Sequence, residues 1–122
     1  MVKVYRHRVG PDDYVGRVED DGRVYAQRIG PDTYEGRVER DGKVYQHVSG
    51  PDRYLGRVED DGKIYLHVPG GPDLNVGRVE ENGKVYLRRE GITPDQLLGR
   101  VEGNALSLAG GAAFFLLLQI PE

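Results

Sequence analysis

Cysteine and tryptophan are absent from this chain, and phenylalanine occurs only twice. The lack of cysteine excludes a disulfide framework and thiol chemistry, and it leaves the redox compartment open. An excess of basic charge is also missing: 17 Lys and Arg stand against 20 Asp and Glu, a formal charge of −3. That argues against sequence-independent nucleic-acid binding, which needs a clustered basic field. No long hydrophobic run occurs before residue 105. Residues 1–7 read MVKVYRH, without the apolar core of a secretory leader, so a cytoplasmic location is expected. With 30% charged residues and a mean hydropathy of −0.58, the core must be small.

What the chain has instead is repetition. Gly-Arg-Val-Glu is written at 16–19, 36–39, 56–59, 77–80 and 99–102. A Val/Ile-Tyr pair recurs at 4–5, 24–25, 44–45, 64–65 and 85–86. A period this short denotes one supersecondary unit, stacked or closed into a ring. Residues 1–103 hold this array. Residues 104–122 form a greasy segment of the same domain, in which 105–118 reads ALSLAGGAAFFLLL.

Each unit reads as a β-hairpin. Asp20-Asp21-Gly22 stands between two β-type runs, and Gly22 can take the left-handed conformation that closes such a turn. Arg40-Asp41-Gly42, Asp60-Asp61-Gly62 and Glu81-Asn82-Gly83 repeat it. The return turns are Gly-Pro-Asp, or Thr93-Pro94-Asp95 in the last unit; proline presets the first corner and aspartate caps the turn. Ten antiparallel strands of about six residues are expected. If Glu19 pairs with Arg23, alternation puts Gly16, Val18 and Val24 on one face and Arg17, Glu19, Arg23 and Tyr25 on the other. On the wet face, Glu19 would meet Arg23, and Arg17 would stack on Tyr25. The resulting belt comprises Arg17, Arg37, Arg57, Arg78 and Arg100 with Tyr5, Tyr25, Tyr45, Tyr65 and Tyr86.

The two ends of the array complement each other. The first Val-Tyr strand has no preceding Gly-Arg-Val-Glu partner, and the last Gly-Arg-Val-Glu strand has no following Val-Tyr partner. Pairing them removes both sheet edges. A ten-strand barrel has a radius of roughly 10 Å, and a helix with its side chains is ~10–12 Å across. The predicted fold is therefore all-β with one C-terminal helix: five hairpins closed into a barrel or flower around a buried apolar helix. Leu106, Leu108, Phe114, Phe115, Leu116, Leu117, Leu118 and Ile120 are assigned to this plug.

The phrase GRVEDDGRVY at 16–25, the short hairpins and the greasy C-terminus resemble the bacterial β-flower proteins, most nearly their five-fold form. The resemblance spans the chain and implies petal-like hairpins around an axis; it implies an architecture and no activity. Tyr34-Glu35-Gly36-Arg37 followed by Asp41-Gly42-Lys43 is also similar to the hairpins of MORN repeats, without their second glycine pair.

Candidate chemistry is sparse. His7, His47 and His67 occupy equivalent positions and invite a zinc reading. However, His47 and His67 fall two strands apart, ~9.5 Å, and zinc needs bonds of ~2.0–2.1 Å. They are expected to be exposed decoration. Asp12, Asp32, Asp52, Asp73 and Asp95 would ring one end, and Asp20, Asp21, Asp41, Asp60, Asp61 and Glu81 the other. Such rings can attract calcium, but no loop has the alternating spacing of a calcium loop, and each aspartate is what its turn requires. Tyr14, Tyr34 and Tyr54 extend the belt tyrosines into ladders, favouring packing and arginine stacking over sugar binding. No nucleophile–base pair or phosphate loop appears, and neither metal nor cofactor is expected. The sequence therefore reads as a non-catalytic structural or protein-interaction module. The alternatives are glycan or small-ligand binding through the tyrosines, or membrane attachment through 105–118. That run is shorter than the ~20 residues needed to span a bilayer.

Overall fold

The computed structural model describes residues 1–89, 91, 93–104 and 106–119, with backbone alone at Leu106 and Gln119. Its strands are β1 (Val2–Arg6), β2 (Asp13–Val18), β3 (Arg23–Ala26), β4 (Thr33–Val38), β5 (Lys43–Gln46), β6 (Arg53–Val58), β7 (Lys63–Leu66), β8 (Leu74–Val79), β9 (Lys84–Leu87) and β10 (Gln96–Glu102). The helix α1 (Leu106–Gln119) follows. The sheet is a closed barrel in which β1 pairs antiparallel with β10, Val4 opposite Val101 and Tyr5 opposite Arg100. Closure through the chain's first and last strands is as the unpaired half-units require.

The Asp-Gly turns also lock one hairpin to the next. Glu19 N–H donates to the Arg23 carbonyl at 2.8 Å and Gly22 N–H to the Glu19 carbonyl at 2.9 Å. Gly22 has φ +88°, and a Cβ there would overlap the carbonyl oxygen of Val38 in the following hairpin. That closeness lets Val38 N–H donate to the Gly22 carbonyl at 2.8 Å. Val58 with Gly42, Val79 with Gly62, and Val101 with Gly83 repeat the bond at 2.9 Å.

Strict alternation fails once in every unit. Val4 opposes Gly16 but Tyr5 opposes Tyr14, so Val15 is an extra residue in a β-bulge. Glu35, Leu55, Val76 and Leu98 occupy the same place in the later units. Without the bulge, Tyr14 would share the inner face with Gly16 and Val18. The extra residue reverses the phase and puts Tyr14 outside, its ring 5.8 Å from that of Tyr5.

Inside, the wall side chains are small and the helix fills the bore. Val4, Val18, Val24, Val38, Val44, Val58, Ile64, Val79, Val85 and Val101 are all buried, as are Phe114 to Leu117. The helix side chains reach the wall glycines. Positions for a Cβ would lie 3.1 Å from Leu116 at Gly16, 3.0 Å from Phe115 at Gly56, 2.5 Å from Phe114 at Gly77 and 3.1 Å from Leu117 at Gly99. Gly36 borders a gap of about 10 Å³ beside Ala112, Phe115 and Leu116, room for no more than one water. The close approach works in both directions. A Cβ on Gly110 would come 2.6 Å from Val79 Cβ, and one on Gly111 2.6 Å from Val58 Cβ.

The plug is shorter than expected at its C-terminal end. Leu118 is 51% exposed, whereas Leu108 is half-buried. A six-residue strand tilted in a barrel rises only ~15 Å along the axis, and fourteen helical residues span ~21 Å, so the last turn emerges. The side chain of Leu106 and the whole of Ile120 lie outside the described residues.

Gly110→Ala should destabilise the protein by about 1–3 kcal/mol through overpacking against Val79, although the same change in a free helix gains ~1 kcal/mol. Chemical denaturation measures the sign. A chain ending at Gly103 should lose the cooperative unfolding transition, because the remaining inner face is mostly valine and glycine.

Candidate functional site: the arginine–tyrosine belt and the two rims

Every belt arginine lies over the tyrosine of the adjoining strand. Guanidinium carbon to ring centroid is 4.4 Å for Arg17–Tyr25, 4.1 Å for Arg37–Tyr45, 4.4 Å for Arg57–Tyr65, 4.2 Å for Arg78–Tyr86 and 4.0 Å for Arg100–Tyr5. The last pair crosses the seam between β10 and β1, so the closure carries the same contact as the other four joints. All the belt residues stand on the outer face, as alternation requires.

The ionic partners differ from the sequence expectation. Glu19 and Arg23 pair through the backbone, but their side chains do not: the Glu19 carboxylate accepts from Arg17 Nε at 2.5 Å, and the Arg23 guanidinium stands 3.6 Å from Asp21. Two residues apart on one strand, Arg17 and Glu19 share a face, and the exposed turn carries Arg23 away. The second partner comes from the next unit: Arg17 pairs with Asp32, Arg37 with Asp52, Arg57 with Asp73, Arg78 with Asp95 and Arg100 with Asp12. The Gly-Pro-Asp aspartates are therefore more than turn formers. Each fastens an arginine that has reached across the intervening strand's tyrosine, a clamp three strands wide.

The ionisation of Asp12 and of Arg17 is shifted in the clamps. Burial pushes the Asp12 carboxyl up. Hydrogen bonds from the Arg100 guanidinium and the Arg8 backbone, with the charges of Arg100 and His7, outweigh it and hold Asp12 below the ordinary 3.8. Arg17 is pushed up by its hydrogen bond to Glu19; burial opposes this and Asp32 reinforces it. His7, His47 and His67 flank three of the clamps, each Nδ1 3.4 Å from Asp12, Asp52 and Asp73 respectively. The rings of His47 and His67 lie 4.9 Å from Tyr34 and Tyr54. Among the described residues no group of three or more His, Cys, Asp or Glu could hold a metal ion.

The tyrosines form short stacks. Tyr25–Tyr34 and Tyr45–Tyr54 rings are 5.6 and 5.4 Å apart. Asn75 and Leu97 replace the outer member opposite Tyr65 and Tyr86. Each belt ring has a guanidinium on one face.

The helix makes the rims unlike. It has no acidic residue in its first turn and no basic residue in its last, so the barrel supplies both. Its N-terminal end lies in the mouth with the Asp-Gly turns, where Ser107 borders the same groove as Asp60, Asp61, Glu80 and Glu81. At the other end Arg6 Nη2 donates to the Leu117 carbonyl at 3.1 Å. Both placements suit the helix dipole. In the Asp-Gly mouth a cleft of about 490 Å³ opens between the first two hairpin tips. Val18, Val38, Leu108 and Ala109 contribute apolar lining; Glu19, Asp20, Asp21 and Glu39 are its carboxylates, with Arg37 and Arg40.

No family model, curated protein or solved structure matches this chain.

Sequence reasoning found the arginine–tyrosine contacts but missed the Arg–Asp clamps. Their signal was present, an Asp 15 residues after each of Arg17 and Arg37, but that spacing becomes a contact only once the bulge and register are known.

Arg37→Lys keeps the charge but loses the planar fork, and should cost about 1–2 kcal/mol in chemical denaturation. Arg23→Lys at the exposed turn should stay within about 0.5 kcal/mol. Because Asp12 has a lowered pKa when folded, its contribution is present above 3.8 and is lost as pH falls through the lower folded value. Asp12→Asn should therefore flatten the acid limb of the stability profile below about pH 4 while leaving its shape near neutrality unchanged.

Proposed function

We propose that this chain is a non-catalytic structural or protein-interaction module, a petalled ring of the kind its β-flower-like phrases imply. One observation carries the reading: the belt's guanidiniums are fully occupied within the ring. Each guanidinium has a tyrosine ring beneath it and carboxylates from two units beside it. A group held on three sides has little left with which to recognise an anion or assist a reaction. The interior is filled by α1, which supports placing recognition on the rims. Among the described residues the rims also carry the most exposed apolar side chains: Val9 and Ile29 stand fully in solvent at petal tips.

The same filling weighs against the alternatives. Residues 109–117 pack within the barrel, and among the described residues no helix is long and apolar enough to cross a membrane. The guanidinium on each belt tyrosine occupies a face that a sugar would need.

Photo-crosslinking residues placed at Ile29 and at Lys63, on opposite rims, should capture defined protein partners in cells. The same group at Arg57 on the belt should capture none. Saturable change of tyrosine fluorescence on titration with an oligosaccharide would overturn the reading in favour of glycan binding.

A further inference from the structure

Tyrosine is the side chain of this protein that most readily gives up a single electron. Cysteine and tryptophan, which would compete for an oxidant, are absent, and Met1 is the one methionine. Six of the eight tyrosines stand in pairs. Tyr5 opposes Tyr14, Tyr25 opposes Tyr34 and Tyr45 opposes Tyr54 in register. Their ring centroids lie 5.8, 5.6 and 5.4 Å apart, at interplanar angles of 60°, 53° and 46°. At these separations tilted rings are in contact at their edges. Tyr65 and Tyr86 are opposed instead by Asn75 and Leu97.

The two members of a pair are not equivalent. The belt member has a guanidinium over its ring, at 4.0 Å for Tyr5, 4.4 Å for Tyr25 and 4.1 Å for Tyr45. A cation held over the ring face makes removal of an electron harder. Among the described residues no guanidinium lies over Tyr14, Tyr34 or Tyr54, so the outer member loses its electron first. Imidazoles flank Tyr34 and Tyr54 at 4.9 Å. Gln27 stands where His47 and His67 do in the other units, and Tyr14 is the most open of the six at 36% exposed. Tyr65 and Tyr86 lie under Arg57 and Arg78 and have no outer ring to share a radical with.

We propose that the three tyrosine pairs are sites of oxidative coupling, at which a one-electron oxidant forms dityrosine bridges. Each phenol gives one electron to the oxidant and its hydroxyl proton to solvent. The two phenoxyl radicals join through a new bond between ring carbons ortho to the oxygens. Those carbons then lose their hydrogens as protons while the two oxygens are reprotonated. Each bridge therefore breaks two C–H bonds, makes one C–C bond, and releases two electrons and two protons overall. The bridges span β1–β2, β3–β4 and β5–β6, strand pairs that Gly-Pro-Asp turns connect, and leave β7 to β10 unlinked. Coupling within a held pair is unimolecular and outruns coupling between copies. The chemistry belongs to the outer wall and is independent of what the rims recognise.

Irradiating the dilute full chain with tris(bipyridine)ruthenium and persulfate tests this, each persulfate taking two electrons to become two sulfates. The expected product is a monomer with dityrosine fluorescence, lighter by two hydrogen atoms per bridge. Peptide mapping should join Tyr5 to Tyr14, Tyr25 to Tyr34 and Tyr45 to Tyr54, the first pair fastest because Tyr14 is the most open. The yield should be at least about tenfold above that of the chain unfolded in urea, where no pair is held. Tyr14→Phe keeps the ring packing and should remove the first bridge alone. Asn75→Tyr, opposite Tyr65, should create a fourth bridge; Leu97→Tyr, opposite Tyr86, is the same test in the last unit. Bridges formed chiefly between copies, equal yields from folded and unfolded chain, or Tyr65 and Tyr86 reacting as readily as the paired rings would each overturn the proposal. So would adducts at His47 and His67 in place of dityrosine, which would make the imidazoles the partners of the outer tyrosines.

Discussion

A closed ring of ten strands has a bore that its own side chains must either fill or surrender to something else. Here the inward positions of the wall are largely valine and glycine, too small to meet across the axis. The bore is just wide enough for one helix, and that helix must be apolar on every side because every side faces wall. Most of the structure follows from this fit. Glycine at 16, 56, 77 and 99 makes room for Leu116, Phe115, Phe114 and Leu117. Glycine at 110 and 111 makes room in return for Val79 and Val58. Two helix glycines would weaken α1 in water by roughly 1 kcal/mol each. Inside the barrel they are what allows it to enter.

The outer surface is tied by a different interaction, repeated around the circumference. An exposed ion pair contributes only ~0–1 kcal/mol, so no single clamp holds the ring. Their effect lies in arrangement: each arginine joins its own strand, the next strand's tyrosine and the following unit's aspartate. The backbone bonds from Val38, Val58, Val79 and Val101 to the preceding turn glycines run alongside. Together they make each petal the support of its neighbour. The same arginine–tyrosine–aspartate contact, Arg100 over Tyr5 to Asp12, binds the last strand to the first.

With each belt guanidinium held by a tyrosine and two carboxylates and the bore occupied, the surfaces that distinguish this barrel are its two ends. Those ends differ because the helix that fills the bore has a direction. It enters among carboxylates and leaves among arginines, and it is longer than the wall is high. The barrel is close to symmetric, whereas its contents are polar, and the polarity of the contents distinguishes the two rims.

Much of this was legible in the residues. Unpaired half-units at the two ends implied closure, Asp-Gly and Gly-Pro-Asp marked the turns, and a short charge-free run after a polar array implied a plug. Alternation alone put arginine over tyrosine on the outer face. These features depend on local chemistry and on counting, which a linear string preserves. Tertiary structure decided the rest. The bulge at Val15 and its counterparts depends on the register between neighbouring strands, and it set the side to which Tyr14 points. Glu19 turned from Arg23 to Arg17, and the clamp aspartates found arginines in the preceding unit, because side-chain partners depend on register in three dimensions. Leu118 fell outside the core because strand tilt sets the height of the wall, and tilt is a property of the closed ring that no single hairpin carries.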